Sequence, residues 1–288
     1  MYPLLRIVIG SAVALALLVV GLVLPAAAQD PLKFSVYPYL SSTELVDRFL
    51  PFTKYLGQQI GRSVQFEIGT SYDTHIDRVG SGGVDLAFMG PASYVKFTAK
   101  YGTRPILAAF ASMEGKFYHG HIMVRKDSPI TSLAELKGKR FVFGDPVSTM
   151  SHYVPRHMLL KAGVDVKAFA QVSFLANQEN IALGILAGTF DGGAVKEEIF
   201  KEYEPRGLRS LARSAPITDH LFIASDKLPE ETVQSLREAC LRLSTNDEGR
   251  RIITGLRKDL IALVPGDDSD FDTLRTIVKD LKEAGVEL

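Results

Sequence analysis

Apolar and polar positions follow two rhythms along the chain. Residues 32–39 (LKFSVYPY) carry the short-range pattern of a strand, and residues 42–61 repeat apolar side chains at helical spacing. Ser42 or Thr43 is the expected N-cap of that helix and Gly61 its stop. Residues 63–69 (SVQFEIG) alternate and are rich in β-branched and aromatic types, which predicts a second strand. A short helix at 71–83, a strand at 84–90 and a helix opened by Pro91 complete the first half. This β-α-β-α-β-α order predicts a parallel sheet with helices on both faces.

A second cycle follows. Strands are expected at residues 121–126, 140–144 and 169–175, with a short helix at 132–138 capped by Ser132. Helices are expected at 153–163 and 177–190, and a short strand and turn at 191–198. A strand at 220–228 returns, and two or three helices close the chain. Two cycles with a return strand predict two lobes, the first built from both ends of the chain. The connections between them fall near residues 118–124 and 214–222, and the cleft between such lobes is a natural ligand site. The sequence shows no internal repeat and no low-complexity tract.

The N-terminus changes the compartment. Arg6 precedes an unbroken apolar run from Ile7 to Leu24, followed by Pro25 and three alanines. This pattern predicts a secretory signal peptide over residues 1–28, cleaved between Ala28 and Gln29. The same run is long enough to span a bilayer as a permanent anchor. No Cys follows it, so a lipid anchor is not indicated. After cleavage, the 33 Lys and Arg less Arg6 face 33 Asp and Glu. A near-neutral body argues against nucleic acid, which leaves a basic footprint. The single Cys240 cannot form an internal disulfide, and its helical apolar setting predicts a buried thiol.

Candidate chemistry concentrates at residues 144–155 (GDPVSTMSHYVP). Here a strand ends, Pro146 sets a turn, and Ser148, Thr149 and Ser151 fall at the start of a helix. Unpaired backbone N–H groups, the positive end of the helix dipole and hydroxyl donors together form an anion cradle that needs no cationic side chain. An ordinary Ser/Thr cap explains one such hydroxyl. Catalysis fits less well. His152 follows Ser151 directly, so the two point to different helix faces. There is no G-x-S-x-G, no Walker A and no G-x-G-x-x-G motif. His119 and His121 would share a strand face, but zinc needs further ligands.

The segments at 37–61, 71–95, 124–163 and 178–195 closely resemble the phosphonate/phosphite-type substrate-binding proteins of ABC importers. VDLAFMGP followed by KDSPI, LKGK and GDPVST carries the likeness. The resemblance implies an α/β, type II periplasmic binding fold. Its two lobes, residues 29–120 with 219–288 and residues 121–218, are joined by two crossover strands. It further implies a small phosphorus oxyanion or phosphonate held by Ser148, Thr149 and Ser151, with Tyr72 and Tyr118 as phenol donors. Glu198, with Glu197 as the near alternative, matches an acidic residue of the family. Gln178 stands where many members have histidine, and His220, beside Asp219, where many have an acid. Met150 interrupts the family's Ser-Thr-Ser-Gly. These departures imply a compact oxyanion rather than an aminoalkyl phosphonate. The resemblance also implies a periplasmic monomer without a cofactor or catalytic activity. Its partners would be an ABC permease and ATPase at the inner membrane or, alternatively, a membrane sensor histidine kinase.

Overall fold

The computed structural model describes residues 30–287. The expected signal segment and its cleavage site lie outside these residues. Among the described residues no helix is long and apolar enough to cross a membrane.

The chain begins β1 (Leu32–Val36), α1 (Ser42–Ile60), β2 (Val64–Ile68), α2 (Tyr72–Gly80), β3 (Leu86–Met89), α3 (Pro91–Tyr101) and β4 (Ile106–Ser112). It then crosses through β5 (Phe117–Tyr118) into β6 (Gly120–Arg125), β7 (Arg140–Phe143), α4 (Val154–Lys161), β8 (Gln171–Phe174) and α5 (Gln178–Leu186). β9 (Gly192–Lys196), α6 (Glu197–Tyr203) and β10 (Leu208–Arg213) follow, and the chain returns through β11 (Ile217–Thr218) to β12 (Leu221–Ala224). It ends with α7 (Glu230–Arg242), α8 (Asp247–Leu256), β13 (Leu260–Val264) and α9 (Asp272–Glu283).

Two sheets define two lobes. One has six strands in the order β13-β4-β12-β3-β1-β2, and the other five in the order β10-β6-β9-β7-β8. A short antiparallel pair, Ile217 opposite Tyr118, joins the crossing segments. The parallel sheet expected from the α/β rhythm is corrected here: both sheets are mixed. β12 runs antiparallel between β3 and β4, and β6 runs antiparallel between β10 and β9. Both of these reversals are made where the chain changes lobe, whereas β13, antiparallel to β4, reverses within its own lobe.

Local chemistry explains the helix ends. Ser41, not Ser42 or Thr43, caps α1, its side chain accepting from the Glu44 N–H. Gly61 ends that helix in the left-handed region at φ 65°, where a side chain would be strained. Ser132 makes no side-chain cap bond, and residues Leu133–Leu136 form only a 3-10 turn. In the six-stranded lobe, Phe34, Phe49, Phe52, Phe88 and Phe222 pack as buried rings, with centroids such as those of Phe52 and Phe222 4.5 Å apart. Burying each such ring contributes about 1.5–3 kcal/mol. Phe141 and Phe143 anchor the smaller core of the other lobe. Cys240 is buried as expected, and burial pushes its thiol up to about 12.

Candidate functional site

The C-terminal ends of the parallel strands converge from both lobes on one small cavity, the position where open α/β sheets bind ligands. β1 delivers Tyr37 and Tyr39, the turn after β2 delivers Tyr72, and the turn after β3 delivers Gly90 and Ser93. From the other lobe come Val147, Ser148, Thr149 and Met150 after β7, Gln178 at the start of α5, and Lys196 at the end of β9. Tyr118 and His220 enter from the two crossings. The cavity measures about 10 Å³, roughly the space that the centre of one water needs. A wider groove of about 670 Å³ beside α3 and α9 is open and has no such convergence of hydroxyls.

The Ser-Thr turn is built differently from an ordinary cap. Residues Thr149–Tyr153 wind as a π-helical turn, and the Ser148 side chain makes no cap bond. Instead Ser151 Oγ donates to Ser148 Oγ at 2.5 Å, and Tyr72 lines the cavity beside Ser148. The Ala92 N–H donates to Thr149 Oγ1 at 2.8 Å, and Tyr118 lines the cavity with it. Gly144 is required for space. A Cβ there would lie 1.8 Å from Ser151 Oγ. Gly90 is required for the same reason, since a Cβ would come within 2.7 Å of the Tyr37 hydroxyl.

Of the eight residues expected from the sequence, Tyr72, Tyr118, Ser148, Thr149, Gln178 and His220 line the cavity. Ser151 and Glu198 do not, which corrects their expected placement. Ser151 sits behind Ser148, packed toward Gly144. Glu198 turns away to accept from Arg48 at 2.8 Å, and Lys196 lies 2.6 Å from its other oxygen. Burial raises the Glu198 carboxyl, but Lys196 and Arg48 outweigh it and bring it down to about 2. Gln178 Oε1 accepts from the Lys196 N–H at 2.9 Å, which fixes the end of β9.

Lys196 is the largest departure from expectation. Residues 144–155 carry no Lys or Arg, yet this ammonium is buried at the cavity wall, 4.6 Å from the Tyr39 ring centre. Burial lowers its pKa, and Glu198 works against that. Ser93 was also missed. Its hydroxyl is buried, lines the cavity and has no protein hydrogen-bond partner. The available signal was the Gly-Pro pair at 90–91, which breaks a strand directly onto a helix start. Tyr37 and Tyr39 carried a similar signal after β1. Burial raises both phenols, so they stay protonated.

His220 is held by Asp219, whose Oδ1 accepts from His220 Nδ1 and from its backbone N–H, each at 2.7 Å. Arg257 donates to both oxygens of the same carboxylate, at 2.9 and 2.6 Å. Burial pushes the Asp219 carboxyl up, but Arg257 and His220 overcome it and hold the group well below the carboxylate range. Burial lowers the His220 imidazole, with Asp219 pulling the other way. The remaining histidines are engaged elsewhere. His119 is bonded to Ser214 O and Glu114, and His121 to Ser210. His152 Nδ1 donates to Pro146 O at 2.7 Å, away from Ser151. Among the described residues no group of three or more His, Cys, Asp or Glu could hold a metal ion.

Comparison with known proteins identifies the family and the fold. The profile of a family described as "ABC transporter, phosphonate, periplasmic substrate-binding protein" matches residues 34–271. The phosphate-import protein of Mycolicibacterium smegmatis is 28% identical over 72% of this chain and 70% of its own length. A probable ABC transporter phosphite binding protein of Prochlorococcus marinus is 25% identical over 59% of each chain. A solved structure from Prochlorococcus marinus, in complex with methylphosphonate, superposes with a TM-score of 0.80. It is 21% identical and covers 87% of this chain and 98% of that one.

Proposed function

The chain belongs to the phosphonate-type periplasmic substrate-binding proteins of ABC transporters, and from that premise we propose that its own ligand is a compact phosphorus oxyanion such as phosphite, phosphate or methylphosphonate. The family binds a substrate for import and does not transform it. The observation that carries the ligand choice is Lys196, a buried cation at the wall of a cavity rich in hydroxyls. An oxyanion gains hydrogen bonds and charge there, whereas the ammonium of an aminoalkyl phosphonate would face a like charge. Glu198 is already shared between Arg48 and Lys196 and is turned from the cavity. The case against an amine therefore rests on Lys196.

The lobes, taken as residues 29–120 with 219–288 and residues 121–218, part and reclose about β5 and β11, a hinge motion. Ligands larger than the 10 Å³ cavity require that movement. The closed form, a monomer in the periplasm, would then dock on a membrane permease pair with its ATPase.

A thermal-shift screen tests this proposal. Phosphite, phosphate and methylphosphonate should raise the melting temperature by mass action, at lower concentrations than 2-aminoethylphosphonate. A larger shift from 2-aminoethylphosphonate at every concentration would overturn the ligand choice. No shift from any phosphorus compound would overturn the whole proposal.

A further inference from the structure

The cavity wall is unequal in its hydrogen-bonding character. Tyr37, Tyr72 and Ser93 present hydroxyls, which can donate, and Lys196 presents an ammonium, which can only donate. His220 is different. Its Nδ1 faces the Asp219 carboxylate at 2.7 Å, and that carboxylate is fixed by two bonds from Arg257. A carboxylate so placed accepts, so Nδ1 carries the proton and the neutral ring presents a lone pair at Nε2. Nε2 lies on the Gly90 flank of the cavity, 3.7 Å from where a Cβ on Gly90 would sit. The described residues give it no hydrogen bond. The ring cannot swing away, because it is stacked on Phe88 at 5.0 Å with 4° between planes and is met edge-on by Tyr118.

We propose that His220 is a specificity-determining residue: its Nε2 requires one proton to be shared with a ligand oxygen, so the site takes phosphorus oxyanions that can carry that proton and rejects sulfate. This deepens the phosphorus-oxyanion reading above and rests on it. Two lone pairs facing each other in a buried site repel, and one proton between them converts the repulsion into a hydrogen bond. A phosphorus oxyanion ionises for the second time near neutral pH and can supply that proton. Sulfate is fully deprotonated there, so the ring itself would have to be charged. Every charged group facing the ring bears on this. Burial disfavours the imidazolium, and so do Lys196 from the end of β9 and Arg257 from the residue after α8. Asp219 favours it but is already neutralised by Arg257. Tyr37, Tyr39 and Tyr118 remain protonated, because burial raises each phenol.

Calorimetric titrations of the purified protein with phosphite, methylphosphonate and sulfate from pH 5.5 to 9 test the inference. Above the ligand's second ionisation, affinity should fall about tenfold per pH unit, the slope of one shared proton. Methylphosphonate ionises at higher pH than phosphite, so its fall should begin at higher pH. That displacement separates a ligand proton from deprotonation of Lys196, which would set the same onset for both. Sulfate should bind at least tenfold more weakly than phosphite at neutral pH. His220→Gln should flatten the slope, and if that variant does not fold, the wild-type onsets decide alone. A common onset, a flat profile or equal binding of sulfate overturns the inference and leaves the phosphorus-oxyanion reading intact. Absence of binding by both phosphorus ligands at every pH overturns that reading and this inference with it.

Discussion

The Ala92 N–H donates to Thr149 Oγ1 at 2.8 Å, so the first turn of α3 in one lobe is bonded to the turn after β7 in the other. Thr149 thereby bridges the two lobes as well as lining the cavity. Thr149→Val keeps the branched shape but removes the acceptor for Ala92 and a hydroxyl from the cavity wall. The variant should bind methylphosphonate more weakly by about 1–3 kcal/mol, the cost of leaving buried polar groups unpaired. Calorimetry on a folded variant decides this, and unchanged affinity removes the hydroxyl from the binding machinery.

Ser93 offers the opposite sign for stability. Its hydroxyl is buried at the cavity without a protein partner, an arrangement that costs folding free energy. Ser93→Ala should leave the melting temperature of the ligand-free protein unchanged or raise it. Affinity should fall by about 1.5–3 kcal/mol, the range for a hydrogen bond to a charged group. A lowered melting temperature with unchanged affinity would show that the hydroxyl serves the fold instead.

How much of this was legible in the sequence depends on which physical signal each element carried. β1, β2 and the first three helices were readable because alternation, caps and Gly61 mark their limits. β4 was not. Its interior, Leu107 to Ala111, is buried on both faces, and a continuous apolar run has no period to detect. β10 and β13 were missed as well, although β2 and β8, likewise edge strands, were readable. The antiparallel insertion of β12 follows from the lobe crossing, which periodicity cannot encode. At the site, Ser148 and Thr149 were visible as several hydroxyls at a strand-to-helix break. Lys196 was not, because a lysine followed by two glutamates reads as a solvated turn. Only the packing of β9 between β6 and β7 buries it.

Lys196 can be separated from its partner by substitution. Lys196→Gln should lower phosphite affinity tenfold or more, an effect of about 1.4 kcal/mol or greater. The preference for phosphite over 2-aminoethylphosphonate should narrow. Glu198 retains Arg48 in this variant, at 2.8 Å, so the carboxylate is not left alone. The double variant Lys196→Gln with Glu198→Gln removes both charges together. If the double variant binds phosphite as the wild type does, the lysine serves only to neutralise Glu198.

Acid sensitivity should arise from the buried histidines, His220 included, and two of them are lowered furthest. His75 is wholly buried, its Nε2 donating to Phe88 O at 3.1 Å while Nδ1 lies 3.1 Å from the Ser35 hydroxyl. Burial lowers its pKa to about 4, and His152 is lowered to about 4 for the same reason. Below an unfolded value of about 6.5 the unfolded chain takes up protons that these native rings refuse. Stability therefore rises with pH up to about 6.5 and is lost as pH falls from there toward the folded pKa. For His75 alone the loss between pH 7 and 4.5 is about 2–3 kcal/mol, at about 1.4 kcal/mol per unit. Glu198, lowered to about 2, adds its own loss only below about pH 4.3. Urea denaturation at pH 7 and 4.5 measures the difference. His75→Gln should be less stable than the wild type at pH 7 but lose about 2–3 kcal/mol less on acidification. An equal loss in both proteins would show that His75 is protonated in the native state and that the pH dependence originates elsewhere.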